Sequence, residues 1–152
     1  MSASYAGAKA AIRARLVAGW TTTPVTYQNV TPPDPWPPKD GNGDLLPWVN
    51  LEILGTGSEI YGQGVPRNHL YRYTGLTQVH VFVPVGTDDA LAGQYADQIG
   101  ELFRNATFYN DVTPGCYVRS DSPRQDGGGS GSDNGNWFRV TVTIDFEYWH
   151  RG

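Results

Sequence analysis

Alternation of apolar and polar residues with a period of two is the clearest pattern in the chain. Successive side chains of a β-strand point to opposite faces, so such a run predicts a strand with one buried face. The longest run has the apolar members Phe138, Val140, Val142, Ile144, Phe146 and Tyr148. A shorter run follows Pro47, and residues 68–73 and 76–85 look like strand material broken or bulged near Gly75. These runs predict half-buried strands.

Two other segments repeat apolar residues at every third or fourth position, which is the spacing of one helix face. The first predicts a helix over 3–19 that ends at Gly19, with Lys9 and Arg13 beside the apolar stripe. The second begins after Thr87 and Asp88, either of which can cap its N-terminus. The stripes are Tyr5, Ala8, Ile12 and Leu16, and then Leu91, Tyr95, Ile99, Leu102 and Phe103.

The order of these elements predicts an α+β fold in one domain, residues 1–152. We expect a mostly antiparallel sheet of four to five strands with both helices packed on one face. Residues 116–120 are a brief strand candidate, which we place against the start of the final strand. The other sheet face is left for water or another subunit; its predicted members are Trp48, Asn50, His80, Phe82, Thr141, Thr143 and Asp145.

Two long segments and one glycine-rich segment separate the predicted elements. Residues 31–46 carry five prolines, whose fixed φ and missing N–H groups forbid a helix or a central strand. Residues 121–136 carry no apolar residue and are expected to form a flexible hairpin loop. Glycines at 55, 57, 62 and 64 predict a flexible connection over 55–66. We expect the loop at 121–136 to be mobile in an isolated subunit.

Composition narrows the class of protein. A chain of 152 residues can bury one core, and a formal charge of −4 disfavours a general nucleic-acid binder. No stretch approaches the ~20 apolar residues of a membrane span, and no membrane partner is expected. The one cysteine, Cys116, cannot form an intramolecular disulfide. We expect a chain made in the cytosol.

Charge is unevenly distributed along the chain. Residues 1–33 carry three basic residues and no acidic one, whereas the remainder carries eight basic and 15 acidic residues. Two interpretations stay open for Lys9 and Arg13. They belong to a basic helix that meets an acidic neighbour or DNA, or to a solvated helix face that complements its own domain.

The sequence shows no catalytic or metal-binding motif. Its histidines, at positions 69, 80 and 150, lack the i, i+4 spacing of a helical zinc site, and Cys116 has no CxxC partner. The glycine-rich loops lack the Lys-Ser/Thr of a phosphate-binding loop. Asp126 and Asp133 flank such a loop without the oxygen ligands of a calcium loop. We expect no enzyme activity, no metal and no cofactor.

Tryptophans carry more information than the ionisable residues. Trp36 lies within the proline-rich loop and Trp20 just beyond a predicted helix end. Such large rings must either fold back on their own domain or be covered by a partner. Both alternatives stay open on the sequence.

The run TGLTQVHVFVPVG at 74–86, followed by a helix containing YADQI at 95–99, resembles the central strand and second helix of the tail-terminator proteins of long-tailed phages and related tail-like particles. The segments AIRARL at 11–16 and LPWV at 46–49 and the amphipathic last strand follow in matching order. The resemblance covers nearly the whole chain. The loops at 31–46 and 121–136 depart from the compact form of the family.

The resemblance implies a structural virion protein that closes a ring, with six copies expected, on the head-proximal end of the tail tube. Such a ring ends tail polymerisation and offers a surface for head–tail joining, as part of the tail or neck of a phage or prophage particle assembled in the host cytoplasm. Its expected partners are copies of itself, the tail tube protein and a head–tail connector or stopper protein. DNA would pass through the lumen without specific binding. Alternatives are a neck or head-completion protein on the portal side and, from another class, a small α+β hydrolase or ligand-binding domain.

Candidate assembly contacts come from the loops, the tryptophans and the basic helix. They are Lys9, Arg13, Trp20, Trp36, Pro37, Trp48, Tyr61, Arg124, Asp126 and Asp133.

Overall fold

The computed structural model describes residues 2–62, 64–65, 68–86, 89–128 and 137–152. Within these residues the chain forms two helices and seven strands. Their bounds are α1 Tyr5–Gly19, β1 Val25–Tyr27, β2 Trp48–Ile60, β3 Leu70–Pro84, α2 Asp89–Phe103, β4 Thr107–Phe108, β5 Tyr117–Ser120, β6 Arg124–Gln125 and β7 Trp137–Arg151. The predicted α+β class is therefore correct.

The strands form one mixed sheet in the order β1-β2-β3-β7-β5-β4, with β6 paired to β7. The β1 strand runs parallel to β2, and every other pair is antiparallel. The predicted count of four to five strands is too low. The strands β4 and β6 are only two residues long, too short to show an alternating pattern.

The core lies between the helices and one face of the three long strands. Alternate residues of β3 and β7 are buried, and they share one apolar cluster with both helices. The largest fully buried side chains are Ile12, Leu16, Val49, Val79, Val81, Val83, Ile99, Phe103, Val118, Ile144, Phe146 and Tyr148. Periodicity thus identified the buried face of each long element.

Capping fixes where the first helix begins. The Ser4 hydroxyl accepts a hydrogen bond from the Gly7 N–H at 3.0 Å, so α1 begins at Tyr5 rather than at residue 3. At the other end, the Trp20 N–H donates to the Leu16 carbonyl. For α2, the predicted caps Thr87 and Asp88 lie outside the described residues.

The β2–β3 hairpin is longer than predicted. The β2 strand runs through Gly55 and Gly57, with a bulge between them, so the predicted flexible connection at 55–66 begins as strand. The β3 strand continues through Gly75 without a break. A Cβ at Gly75 would lie 2.5 Å from Phe146 Cζ and 2.6 Å from the Leu54 carbonyl oxygen, so this glycine permits close packing.

The predicted position of β5 against the start of the last strand is wrong. Tyr117 is paired with Trp149 and Ser120 with Phe146, near the end of β7. The short β6 strand, in which Arg124 is paired with Thr143, occupies the place nearer the start. Residues 129–136 of the predicted hairpin loop lie outside the described residues.

Candidate assembly surfaces

The face of the sheet turned away from the helices is the largest candidate surface. Its residues form rows across β2, β3 and β7 because the strands pair in register. The rows are Trp48, Phe82 and Arg139; Asn50, His80 and Thr141; and Glu52, Gln78 and Thr143. The residues predicted from alternation to face away from the core therefore share one surface, which we call the open face.

Aromatic rings occupy one end of the open face. Trp48 stacks on Phe82 with ring centroids 4.1 Å apart. Trp36 meets Trp48 edge-on at 5.0 Å, and Trp137 meets it at 5.9 Å. We call these four residues the tryptophan cluster. Trp36 thus folds back on its own domain and carries the half-buried Pro37 with it.

Polar groups tie the three strands together at the centre of the open face. His80 lies between two partners, with Nε2 2.7 Å from Glu52 Oε1 and Nδ1 2.8 Å from Thr141 Oγ1. On the edge side, the Asn50 amide donates to the Thr26 hydroxyl at 2.7 Å. These hydrogen bonds link β1, β2, β3 and β7.

A threonine, a histidine and a glutamate in this order have the composition of a nucleophile with its base and orienting acid. The surroundings do not suit acyl transfer. The Thr141 backbone N–H donates to the carboxylate of Asp126 at 3.1 Å, so this N–H is already occupied and does not offer a free donor to an oxyanion. Glu52, His80 and Thr141 therefore form a structural hydrogen-bond network across β2, β3 and β7.

An arginine surrounded by acids and rings occupies the other end of the open face. The guanidinium of Arg72 forms ion pairs with Glu59 and, at 3.8 Å, with Glu147. It also lies over the rings of Tyr61 and Trp149, at 5.0 and 5.9 Å from their centroids. This arrangement supports the outer part of the β2–β3 hairpin.

The tip of that hairpin exposes apolar side chains. Ile60 is 58% exposed, Tyr61 47% and Val65 65%. Single exposed apolar residues are ordinary, but three within six positions at one tip form a patch. Tyr61, a predicted contact residue, lies in this patch with one edge against Trp149.

The basic residues of α1 contact aromatic rings of their own domain. The guanidinium of Arg13 lies 3.7 Å from the centroid of the Tyr27 ring, and the ammonium of Lys9 lies 5.5 Å from that of Tyr5. An open groove of about 310 Å³ lies beside them, lined also by Gln28 and Ile53. These contacts favour the interpretation that the basic face complements its own domain.

Trp20 belongs to the core. Its ring is 4% exposed, meets Tyr95 edge-on at 5.1 Å, and donates from Nε1 to the Thr23 hydroxyl at 2.9 Å. Of the two alternatives left open for this ring, the structure shows folding back on its own domain.

Two of the candidate contact residues that precede β7, Arg124 and Asp126, form ion pairs or hydrogen bonds with residues of that strand. Arg124 pairs with Asp145 at 2.6 Å on the open face. The Asp126 carboxylate accepts hydrogen bonds from the backbone of Gly128 and Thr141. The remaining candidate, Asp133, lies outside the described residues.

The most perturbed ionisable group is buried beneath the sheet. Burial raises the pKa of the Tyr148 hydroxyl well above its usual value, and the nearby Cys116, Tyr109 and Tyr73 raise it further. This hydroxyl lies 2.9 Å from His150 Nδ1. Burial likewise raises the pKa of Tyr5. These groups are structural, since Tyr148 and Cys116 are buried in the apolar cluster.

Neither a metal centre nor a membrane helix occurs in the described ranges. Among those residues, no three His, Cys, Asp or Glu side chains are grouped so that they could hold a metal ion. No described helix is long and apolar enough to cross a membrane.

Some surface residues could not be selected from the sequence. Arg72, Glu59 and Trp137 gain their positions from strand pairing, which isolated alternation does not reveal. In the sequence, these three residues are marked only by their place among the alternate positions of a strand that face away from the core.

The phage tail terminator protein family matches residues 8–146 of this sequence. The chain belongs to that family. The tail terminator fold is also similar to a solved structure that shares 20% sequence identity, with a TM-score of 0.62 and coverage of 92% of each chain; at this identity the likeness shows the fold alone. No curated protein sequence matches the chain.

Membership makes this tail terminator a structural component of the phage virion tail and confirms the resemblance. The family is one of structural proteins rather than enzymes. It does not favour the alternatives of a portal-side neck protein or a small hydrolase.

Proposed function

We propose that this tail terminator forms a ring, of six copies, on the head-proximal end of the tail tube. The ring stops tube growth and presents the surface to which the head connector joins. The observation that carries the proposal is the family match over residues 8–146. In this proposal the protein joins the virion neck region after assembly in the host cytoplasm.

A closed ring with head-to-tail contacts needs two different complementary patches on each subunit. The tryptophan cluster and the apolar hairpin tip are dissimilar surfaces at opposite ends of the long strands. They support this geometry. We propose contacts with copies of the chain or with the tube at Trp36, Pro37, Trp48 and Tyr61, and at Arg124 and Asp126.

Charge is consistent with a lumen through which DNA passes. A protein of net charge −4 has little general attraction for phosphates, so it would not hold DNA during passage. Although Lys9 and Arg13 contact rings of their own domain, we also propose that their positive charges attract an acidic surface of a neighbouring subunit. Self-association that weakens with salt in wild type, but not in Lys9→Gln/Arg13→Gln, would support this attraction.

The decisive experiment removes the protein from producing cells. Without it, tails should exceed their normal length and lack heads, as measured by electron microscopy. Complementation with the wild-type chain should restore both features. Tails of normal length that carry heads in its absence would contradict the proposal.

A binding experiment separates the tube end from the portal side. The tagged chain should retain purified tube protein and should not retain portal protein. Retention of portal protein alone would favour the neck alternative instead. Trp36→Ala should weaken tube retention, whereas the control change Val112→Ala, at an exposed apolar residue outside the proposed contacts, should leave retention unchanged.

A further inference from the structure

Charged residues of alternating sign cross the outer part of the sheet on the open face. Glu59 of β2 is paired in register with Arg72 of β3, and Arg72 also contacts Glu147 of β7. Arg119 of β5 is paired in register directly with Glu147. The four residues therefore form a row of acid, base, acid and base, which we call the charge ladder.

The two ends of the charge ladder lie toward opposite edges of the sheet. Beyond Glu59, no described strand pairs with the outer part of β2, because β1 covers only 49–51. Beyond Arg119 there is only β4, which is two residues long. The charge ladder thus ends in a carboxylate on β2 at one side and, at the other, in a guanidinium one strand in from the edge, where Thr107 of β4 is paired with Arg119.

Both terminal groups have capacity for another partner. The Glu59 side chain is 53% exposed, and a carboxylate that pairs with one arginine keeps free lone pairs. Arg119 is exposed and forms no ion pair with any described residue. The two residues cannot reach each other within one chain, since three strand spacings separate them, about 14 Å.

We propose that Glu59 of one copy pairs with Arg119 of the next, so that the charge ladder continues from subunit to subunit. This inference rests on the proposed ring and names the contact that closes it. Opposite ends of opposite sign fit a head-to-tail contact between identical chains.

Paired cysteines test the contact directly. Residues whose Cα atoms are more than about 7 Å apart cannot form a disulfide, so a Glu59→Cys/Arg119→Cys bridge must join two chains. Oxidation of purified rings and of recovered particles should give dimers and higher multimers on non-reducing gels. The matched control is Ser58→Cys/Arg119→Cys, because Ser58 is adjacent in sequence but points to the other face; it and the single variants should give few multimers.

A charge reversal provides a second readout. Arg119→Glu should raise the concentration for half-maximal self-association about tenfold, because it replaces an attraction with a repulsion at every contact. The control Arg104→Glu makes the same change at an exposed position outside the ladder and should shift it less than about twofold.

The outcomes separate this inference from the proposed function. Rings or particles that form without cross-linked chains overturn the inference and leave the ring intact, as does an Arg119→Glu chain that associates like its control. A wild-type chain that is absent from tails and whose loss leaves tail length unchanged overturns the proposed function and the inference with it.

Discussion

Trp48 and Phe82 stack face to face across neighbouring strands, with centroids 4.1 Å apart and ring planes 11° apart. The proline-rich loop reaches this pair through Trp36, whose ring stands at 77° to that of Trp48. Trp36 thus attaches the loop to the sheet through an aromatic contact, while Trp48 itself belongs to the sheet.

Trp48→Ala should lower the free energy of unfolding by about 3 kcal/mol, because it removes the ring on which three others pack. Trp36→Ala should lower it by about 1 kcal/mol, since that ring is only partly buried and its loss removes a single aromatic contact, with Trp48. Urea unfolding followed by circular dichroism measures both. Trp36→Phe, which keeps an aromatic ring, is the control for Trp36→Ala. Equal losses for the two alanine variants would show that the loop is part of the cooperative core.

Thr141→Val should lower the free energy of unfolding by about 1–2 kcal/mol, because it leaves His80 Nδ1 without its hydroxyl partner. Thr143→Val is the matched control two residues along the same strand and face. The Thr143 hydroxyl makes no hydrogen bond to a described residue, and its replacement should change stability by less than about 0.5 kcal/mol. Thermal and urea unfolding at pH 7 measure the stability of both variants. A larger loss for Thr143→Val than for Thr141→Val would contradict a structural role for the hydrogen bond between His80 and Thr141.

Gly75→Ala should be strongly destabilising, by about 2–3 kcal/mol, because the new methyl group would overlap the Phe146 ring and the Leu54 carbonyl. Gly57→Ala lies in the same hairpin, where the nearest atom to an added Cβ is Thr74 Oγ1 at 3.5 Å. That control should be neutral or slightly stabilising. Similar losses in both variants, measured by urea unfolding, would contradict the close packing of β3 on Phe146.

Stability should fall at alkaline pH through Tyr148. Its pKa in the folded chain is raised above the ordinary value of 10.0, so above pH 10 the unfolded chain releases a proton that the folded chain retains. The free energy of unfolding then decreases by at most about 1.4 kcal/mol per pH unit, whereas below pH 10 this contribution is constant. Tyr148→Phe should be less stable than wild type at pH 8, where it lacks the bond to His150, and should lose less stability between pH 8 and pH 11. Parallel losses over that interval would exclude Tyr148 as the cause.

The long elements of this fold could be predicted because their burial is periodic. The alternation in 138–148 and the spacing of Ile12 and Leu16 identified buried faces that the structure confirms. Strand pairing was less accessible. The position of β5 was predicted from its glycine-rich connection to β7, but β6 pairs with β7 nearer the start of that strand, and β5 pairs near its end.

Glycine was the least reliable signal. Gly75 was interpreted as the place of a break or a bulge, yet it lies in the middle of a continuous strand where only hydrogen fits against Phe146. The bulge lies across the ladder, between Gly55 and Gly57. A glycine in a strand can mark either a local irregularity or a close neighbour from elsewhere, and distinguishing them requires knowledge of that neighbour.

Candidate surface residues could be predicted where the alternation of side chains along a strand determines which face of the sheet they occupy. Trp48, His80 and Thr141 face away from the core as expected. Trp20 was different, because its place beyond a helix end does not reveal the ring of Tyr95 that covers it. The charge ladder needs the registers of four strands and could not be read from any one segment.

Because β1 is paired parallel to β2, the proline-rich segment must connect the end of one strand with the start of the other, a requirement that its composition does not reveal. After Tyr27 the chain stands level with Leu51, and it must travel back past Val49 before it can re-enter the sheet in the same direction. A tight turn is too short to connect two parallel strands in this way. In homologous chains with this topology, the sequence of the loop between β1 and β2 should therefore vary freely, while its length stays sufficient to span the distance. A variant whose loop is shortened to a few residues should lose the pairing of β1 with β2.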